Sequence, residues 1–64
     1  MEDEFERLFT RVFDENNQIK RCGRDACIEL IEYVENTYNI EVGREKQGII
    51  DNRELIIDLY NNRK

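Results

Sequence analysis

The chain has 64 residues, with 15 acidic and 10 basic side chains and a formal net charge of −5, and it contains no histidine, serine, tryptophan or proline. A chain this short forms one domain at most (1–64) and hides only about 60% of the surface that its unfolded form exposes. Without histidine it lacks the usual general base at neutral pH, and without serine the serine-centred hydrolytic triads are excluded. We therefore expect a protein that is not an enzyme and holds no cofactor.

The sequence shows no membrane or secretory segment. Its apolar runs are much shorter than the ~18 residues that a transmembrane helix needs. The N-terminal stretch MEDEFER is acidic and has no apolar core of a signal peptide. We expect a cytoplasmic protein, and the small size and the Asn- and Ile-rich composition favour a bacterial, phage or mobile-element origin.

The first predicted element is a helix over about 2–14. Acidic residues occupy its first turn, where the helix dipole favours negative charge. Apolar residues recur with the spacing of one helix face, at Phe5, Leu8, Phe9, Val12 and Phe13. Phe9 lies in the middle of this stripe, so it is predicted to be a core residue.

The stretch after this helix has side-chain oxygens at alternate positions, as a calcium-binding loop does. If Asp14 takes the first position, Asn16 and Gln18 take the third and fifth. The sixth position requires glycine and holds Ile19, and the eighth is normally apolar and holds Arg21. We therefore predict a polar turn between two helices and no metal site.

A basic island interrupts the acidic chain within residues 20–24. It consists of Lys20, Arg21 and Arg24. These cations could contact an anion weakly, so a nucleic-acid-associated module that uses the island together with residues 44–46 is an alternative function. Cys22 lies inside the island, where neighbouring cations favour the reactive thiolate, so a thiol-based sensor is another alternative.

The second predicted helix covers 24–38 and ends near Asn36–Asn39. Its apolar stripe contains Cys27, Leu30, Ile31, Val34 and Tyr38. Ile31 is predicted to be a core residue, and Cys27 a buried one. The other side of the helix carries an acidic face, formed by Asp25, Glu29, Glu32 and Glu35. This face is either a solvated surface or a contact for a basic partner.

The last third of the sequence begins with an ambiguous segment. Residues 40–50 fit either a short β-hairpin or an ordered loop. A third helix is then predicted over 51–61, with Asp51 as its N-cap and Glu54 completing a capping box. Ile50 and Leu55 flank this cap and are expected to form a hydrophobic staple.

The third predicted helix has more apolar residues than one face can hold. Two other helices can cover only one side of it, so part of its apolar surface should be exposed. We expect this patch to bind a partner, and its residues are Ile56, Ile57 and Tyr60. A symmetric homodimer is the commonest way for a chain to cover such a patch.

The expected fold is all-α, with three helices and a short hairpin as an optional addition; with that hairpin the class would be α+β. The favoured function is that of a small acidic regulator or adaptor that binds another protein, itself or both. No membrane contact is expected, and the net negative charge disfavours nucleic acid as a partner.

Overall fold

The computed structural model of the chain describes residues 3–21 and 23–63. The helices within these ranges are α1 (Glu4–Val12), α2 (Arg24–Tyr38), α3 (Lys46–Asp51) and α4 (Arg53–Asn61). The predicted all-α class is confirmed, although this part of the chain holds four helices where three were predicted. None of these helices has the length and apolar character that crossing a membrane requires.

Helix α1 starts at a side-chain cap. Asp3 precedes the helix, and its carboxylate accepts a hydrogen bond of 3.0 Å from the backbone amide of Phe5. The helix ends two residues earlier than predicted, with the amide of Phe13 donating to the carbonyl of Phe9 at 2.8 Å. The predicted start at Glu2 lies outside the described residues.

A tight turn reverses the chain after α1. Phe13 and Ile19 form a single antiparallel bridge, and the amide of Lys20 donates to the carbonyl of Val12 at 2.7 Å. Asn17 has a left-handed backbone with φ of 61°, which Asn tolerates better than most residues. The polar stretch is therefore the turn between two helices that the sequence predicted.

Helix α2 has the bounds that were predicted from its periodicity. Asn39 ends it in the left-handed conformation, with φ of 54° and ψ of 50°, as expected for Asn at this place. Its inward face is buried and consists of Ala26, Cys27, Leu30, Ile31 and Val34. The predicted burial of Ile31 and Cys27 is confirmed, and so is that of Phe9 on α1.

The hairpin considered for residues 40–50 is wrong, because a loop and the short helix α3 take its place. The loop packs so closely on α3 that a Cβ atom on Gly48 would lie 2.7 Å from the carbonyl oxygen of Val42. Gly43 has φ of 135°, which favours glycine. Gly43 and Gly48 thus allow a close contact between loop and helix.

The predicted capping box is also wrong. Asp51 is the last residue of α3. Asn52 follows it and is both the C-cap of α3 and the N-cap of α4. The Asn52 side chain makes no cap hydrogen bond to α4. Its amide donates instead to the carbonyls of Val42 at 3.1 Å and Gly48 at 2.9 Å, which fixes the loop on α3.

The four helices enclose one hydrophobic core. Helix α1 packs against α2 and α4, and α3 also packs against α2 and α4. At one end the aromatic rings of Phe9 and Tyr60 stack with their centroids 3.9 Å apart. Arg63 lies over the Tyr60 ring at 4.0 Å and forms an ion pair with Asp3. The two ends of the described chain are therefore joined across this aromatic stack.

Candidate protein-binding surface

The patch predicted on the last helix is not an exposed surface. Ile56 has no exposed area, and Ile57 and Tyr60 are half-buried against the core. The prediction assumed that the first two helices cover this one, whereas α4 packs against α1 and the unpredicted α3. Ile56 is thus a core residue, and the homodimer stays a prediction without the surface that it was expected to use.

The exposed apolar side chains lie at the junction of α3 and α4. Among the residues described, the large hydrophobic side chains with substantial exposure are Ile50 at 44% and Leu55 at 41%. Both line one shallow depression of about 380 Å³ around this junction. The sequence placed these two residues in a staple that shields them, but each keeps about two-fifths of its surface in solvent.

A second depression adjoins the first, and Ile50 belongs to both. Its volume is about 530 Å³, and it lies between the start of α2 and α3. Its lining is Arg24, Cys27, Glu45, Lys46, Gln47 and Ile50. We call the two depressions together the corner surface.

The depression between α2 and α3 carries two cations without an internal partner. Arg24 is the first residue of α2 and Lys46 the first of α3, and both side chains are exposed. Neither forms an ion pair with any residue of the described ranges. Gly23 precedes Arg24 and supplies no capping side chain, so the positive end of the α2 dipole adds to this local charge. Glu45, also exposed, opposes it.

The basic island is divided by the fold. Arg24 lines the corner surface, whereas Lys20 lines a different depression beside Phe13 and Tyr60. Arg21 is exposed. Cys22, the predicted reactive thiol, lies outside the described residues. Sequence neighbours in the island therefore face different parts of the surface.

The acidic face of α2 is partly engaged within the chain. Glu29 forms an ion pair with Arg11 of α1. Glu35 accepts backbone hydrogen bonds from Val42 at 2.8 Å and Gly43 at 3.2 Å, and these bonds lower the pKa of its carboxyl group.

The remaining two acidic residues of that face, Asp25 and Glu32, are exposed. The four carboxylates therefore do not form a uniform surface for a basic partner. Glu29 and Glu35 have partners within the chain, although Glu29 is itself exposed, whereas Asp25 and Glu32 are exposed without such partners among the described residues.

The carboxylate of Asp14 also has a structural role. One of its oxygens accepts hydrogen bonds of 2.9 Å from the amides of both Asn16 and Gln18. This pattern is an Asx-type turn, in which the side chain holds the backbone of a reversal. In the described part of the chain, cysteine and acidic side chains form no group of three or more that could hold a metal.

The sequence pattern did not indicate Ile50 and Leu55 as surface residues, because α3 was not predicted. The signal was the pair Ile49–Ile50, since neighbouring residues on a helix point about 100° apart and a short helix buries only one of them. Ile49 is the buried member and Ile50 the exposed one. No known family, curated protein or solved structure matches this chain, so its surface chemistry is the basis for a functional proposal.

Proposed function

We propose that the chain is a small cytoplasmic regulator or adaptor that acts by binding another protein through the corner surface. The observation that supports this is the exposure of Ile50 and Leu55, two large aliphatic side chains on the same depression. The other large apolar residues of the described chain are buried or pack against the core, except Ile28, which is half-buried. Ile50 and Leu55 are not part of the hydrophobic core, so they are available to contact a partner.

The physical reason is the gain from covering apolar surface. Each buried Å² of apolar surface contributes about 25 cal/mol, so covering two partly exposed aliphatic side chains favours association. Interfaces commonly have an apolar centre with a polar rim. Here charged residues border the apolar pair, among them Lys46 on one side and Arg53 and Glu54 on the other.

A second candidate function has one specific observation in its favour. Arg24 and Lys46 belong to the two basic segments that a nucleic-acid module would use, and they line one depression. The net charge of −5 opposes contact with a polyphosphate backbone, so we rank this function below protein binding. The thiol sensor at Cys22 stays a prediction.

Site-specific photo-cross-linking tests the proposal. Benzoylphenylalanine in place of Leu55, in the cell that naturally makes the protein, should give a discrete adduct with one other protein. The matched control replaces Asn61, which is exposed at the other end of the same helix. Unlabelled wild-type protein should compete the adduct at position 55.

The masses of the adducts decide between outcomes. An adduct specific to position 55 supports the proposal. An adduct with the mass of two copies of this chain would show that the corner surface forms a homodimer and does not bind a different protein. Equal adduct patterns at positions 55 and 61 would contradict a binding role for the corner surface.

A further inference from the structure

The corner surface joins a depression that holds two exposed aliphatic side chains to one that holds two cations. Ile50 lines both depressions, with Leu55 on one side and Arg24 and Lys46 on the other. Arg24 and Lys46 are distant in sequence, and the packing of α3 against α2 brings them to one depression. A ligand that covers Ile50 is therefore placed next to two positive charges.

These cations differ from the basic residues that the fold uses internally. Arg7, Arg11 and Arg63 each have a carboxylate partner on the chain. Arg24 and Lys46 have none among residues 3–21 and 23–63, although the chain has more acidic than basic residues. A carboxylate from outside the chain can pair with them without displacing an existing partner.

A chain with a net negative charge can still bind an acidic ligand, because salt screens the charges that lie far from the contact. At about 0.1 M salt the Debye length is about 10 Å, so charges farther away are largely screened. The contact then depends mainly on the charges that line the two depressions. These are Arg24, Lys46 and the opposing Glu45 in one, and Asp51, Arg53 and Glu54 in the other. The depression between α2 and α3 sums to +1 and the one around Leu55 to −1, so a carboxylate is favoured at Arg24 and Lys46 and not beside Leu55.

We infer that the partner binds with a short amphipathic segment that places apolar side chains on Ile50 and Leu55 and a carboxylate at Arg24 and Lys46. This inference rests on the proposed function and adds the chemistry of the partner. The apolar contact supplies affinity, and the charge contact selects the orientation and rejects basic segments. Glu45 reduces the attraction, so a segment that offers acidic groups alone binds poorly.

A random peptide display library tests the inference without a known partner. Wild-type protein should enrich peptides that combine hydrophobic positions with Asp or Glu, relative to a library panned without protein. One enriched peptide is then synthesised, and its affinity for purified variants is measured by fluorescence anisotropy. A second synthetic peptide, with its acidic residues changed to Gln or Asn, serves as the neutral form.

Three changes in the protein should have distinct effects on peptide affinity. Arg24→Glu and Lys46→Glu should each weaken binding about tenfold, whereas Glu45→Gln should strengthen it. Both charge reversals put an acid in the first turn of a helix, where the dipole favours it, so folding is preserved. Lys20→Glu is the control, since it changes the net charge equally at a different depression.

The possible failures can be told apart. If enriched peptides lose affinity in Ile50→Gln but bind Arg24→Glu and Lys46→Glu normally, the charge inference is wrong and the proposed function stands. If no peptide is enriched, or if none depends on Ile50, both are wrong. If the same two cations instead bind duplex DNA and no peptide is enriched, the nucleic-acid function replaces both.

Discussion

The two ends of helix α4 use apolar side chains in opposite ways. At its C-terminal end Tyr60 stacks on Phe9 of α1, and Arg63 covers the other side of that ring. At its N-terminal end Leu55 stays 41% exposed beside Ile50. One helix therefore presents a packed region and an open region within a few turns.

This difference separates residues that stabilise the fold from residues that are available for binding. Truncation of a packed ring leaves a cavity and lowers the free energy of unfolding. Truncation of an exposed aliphatic side chain removes little from the folded state. We therefore predict that stability and binding can be altered independently.

The aromatic end should be the most sensitive region. Phe9→Ala should lower the free energy of unfolding by about 3–5 kcal/mol, because it removes a buried ring that stacks on both Phe13 and Tyr60. Small domains have total stabilities of about 5 kcal/mol or slightly more, so this variant should be largely unfolded on mild heating. Urea denaturation followed by circular dichroism measures the loss, and Leu55→Ala provides the exposed control. Equal losses in both variants would remove the distinction between the two ends.

The close contact between the 42–43 loop and α3 should come next. Gly48→Ala should cost about 1–3 kcal/mol, because the new Cβ would clash with the backbone of Val42. Gly23→Ala is the matched control, since a Cβ there meets nothing within 4 Å among described atoms. Thermal denaturation of both variants checks this. A Gly48→Ala protein as stable as Gly23→Ala would show that the loop does not pack on α3 as described.

A smaller effect should appear in the pH dependence of stability. Hydrogen bonds from Val42 and Gly43 hold the pKa of Glu35 below its ordinary value of 4.5. A group with a lowered pKa in the folded state stabilises the fold above its unfolded pKa, and that contribution disappears as the pH falls towards the folded pKa. Glu35→Gln should therefore flatten the decline in unfolding free energy below about pH 4.5.

Glu32→Gln is the control for this measurement. Glu32 lies on the same helix, is exposed and accepts no hydrogen bond from residues 3–21 or 23–63. Urea denaturation at several acidic pH values should show a normal slope for Glu32→Gln. If the unfolding free energy changes with pH equally in both variants and the wild type, the hydrogen bonds from Val42 and Gly43 to Glu35 do not stabilise the fold. Some decline should persist in all three proteins, because the hydrogen bond from Arg63 also lowers the pKa of Asp3.

The sequence predicted α1 and α2 because their information is local. Each has an apolar stripe at helical spacing, and Asn39 supplies the expected left-handed end of α2. Phe9 and Ile31 were correctly predicted as core residues because they lie in the middle of those stripes. Periodicity was sufficient wherever a helix contacts the core with one face.

The corner surface was not predictable in this way because it depends on contacts between distant residues. Gly48 and Asn52 hold the loop at Val42, and neither contact is visible as a periodic pattern. Because α3 was not predicted, Ile56 was expected to be exposed and Ile50 to be shielded. The structure shows the opposite for both. Exposed apolar surface was therefore predicted near the correct part of the chain but on other side chains than Ile50 and Leu55.

The most direct test of the account measures stability and binding in one double variant, Ile50→Gln with Leu55→Gln. Glutamine keeps helix propensity and adds no charge, so the change removes the exposed apolar contact alone. We predict an unfolding free energy within about 0.5 kcal/mol of wild type in urea denaturation. We also predict that binding of a display-selected peptide, or of the protein cross-linked at position 55, falls at least about tenfold. Retained binding, or a folded state lost together with binding, would contradict the claim that the open end of α4 is the binding surface.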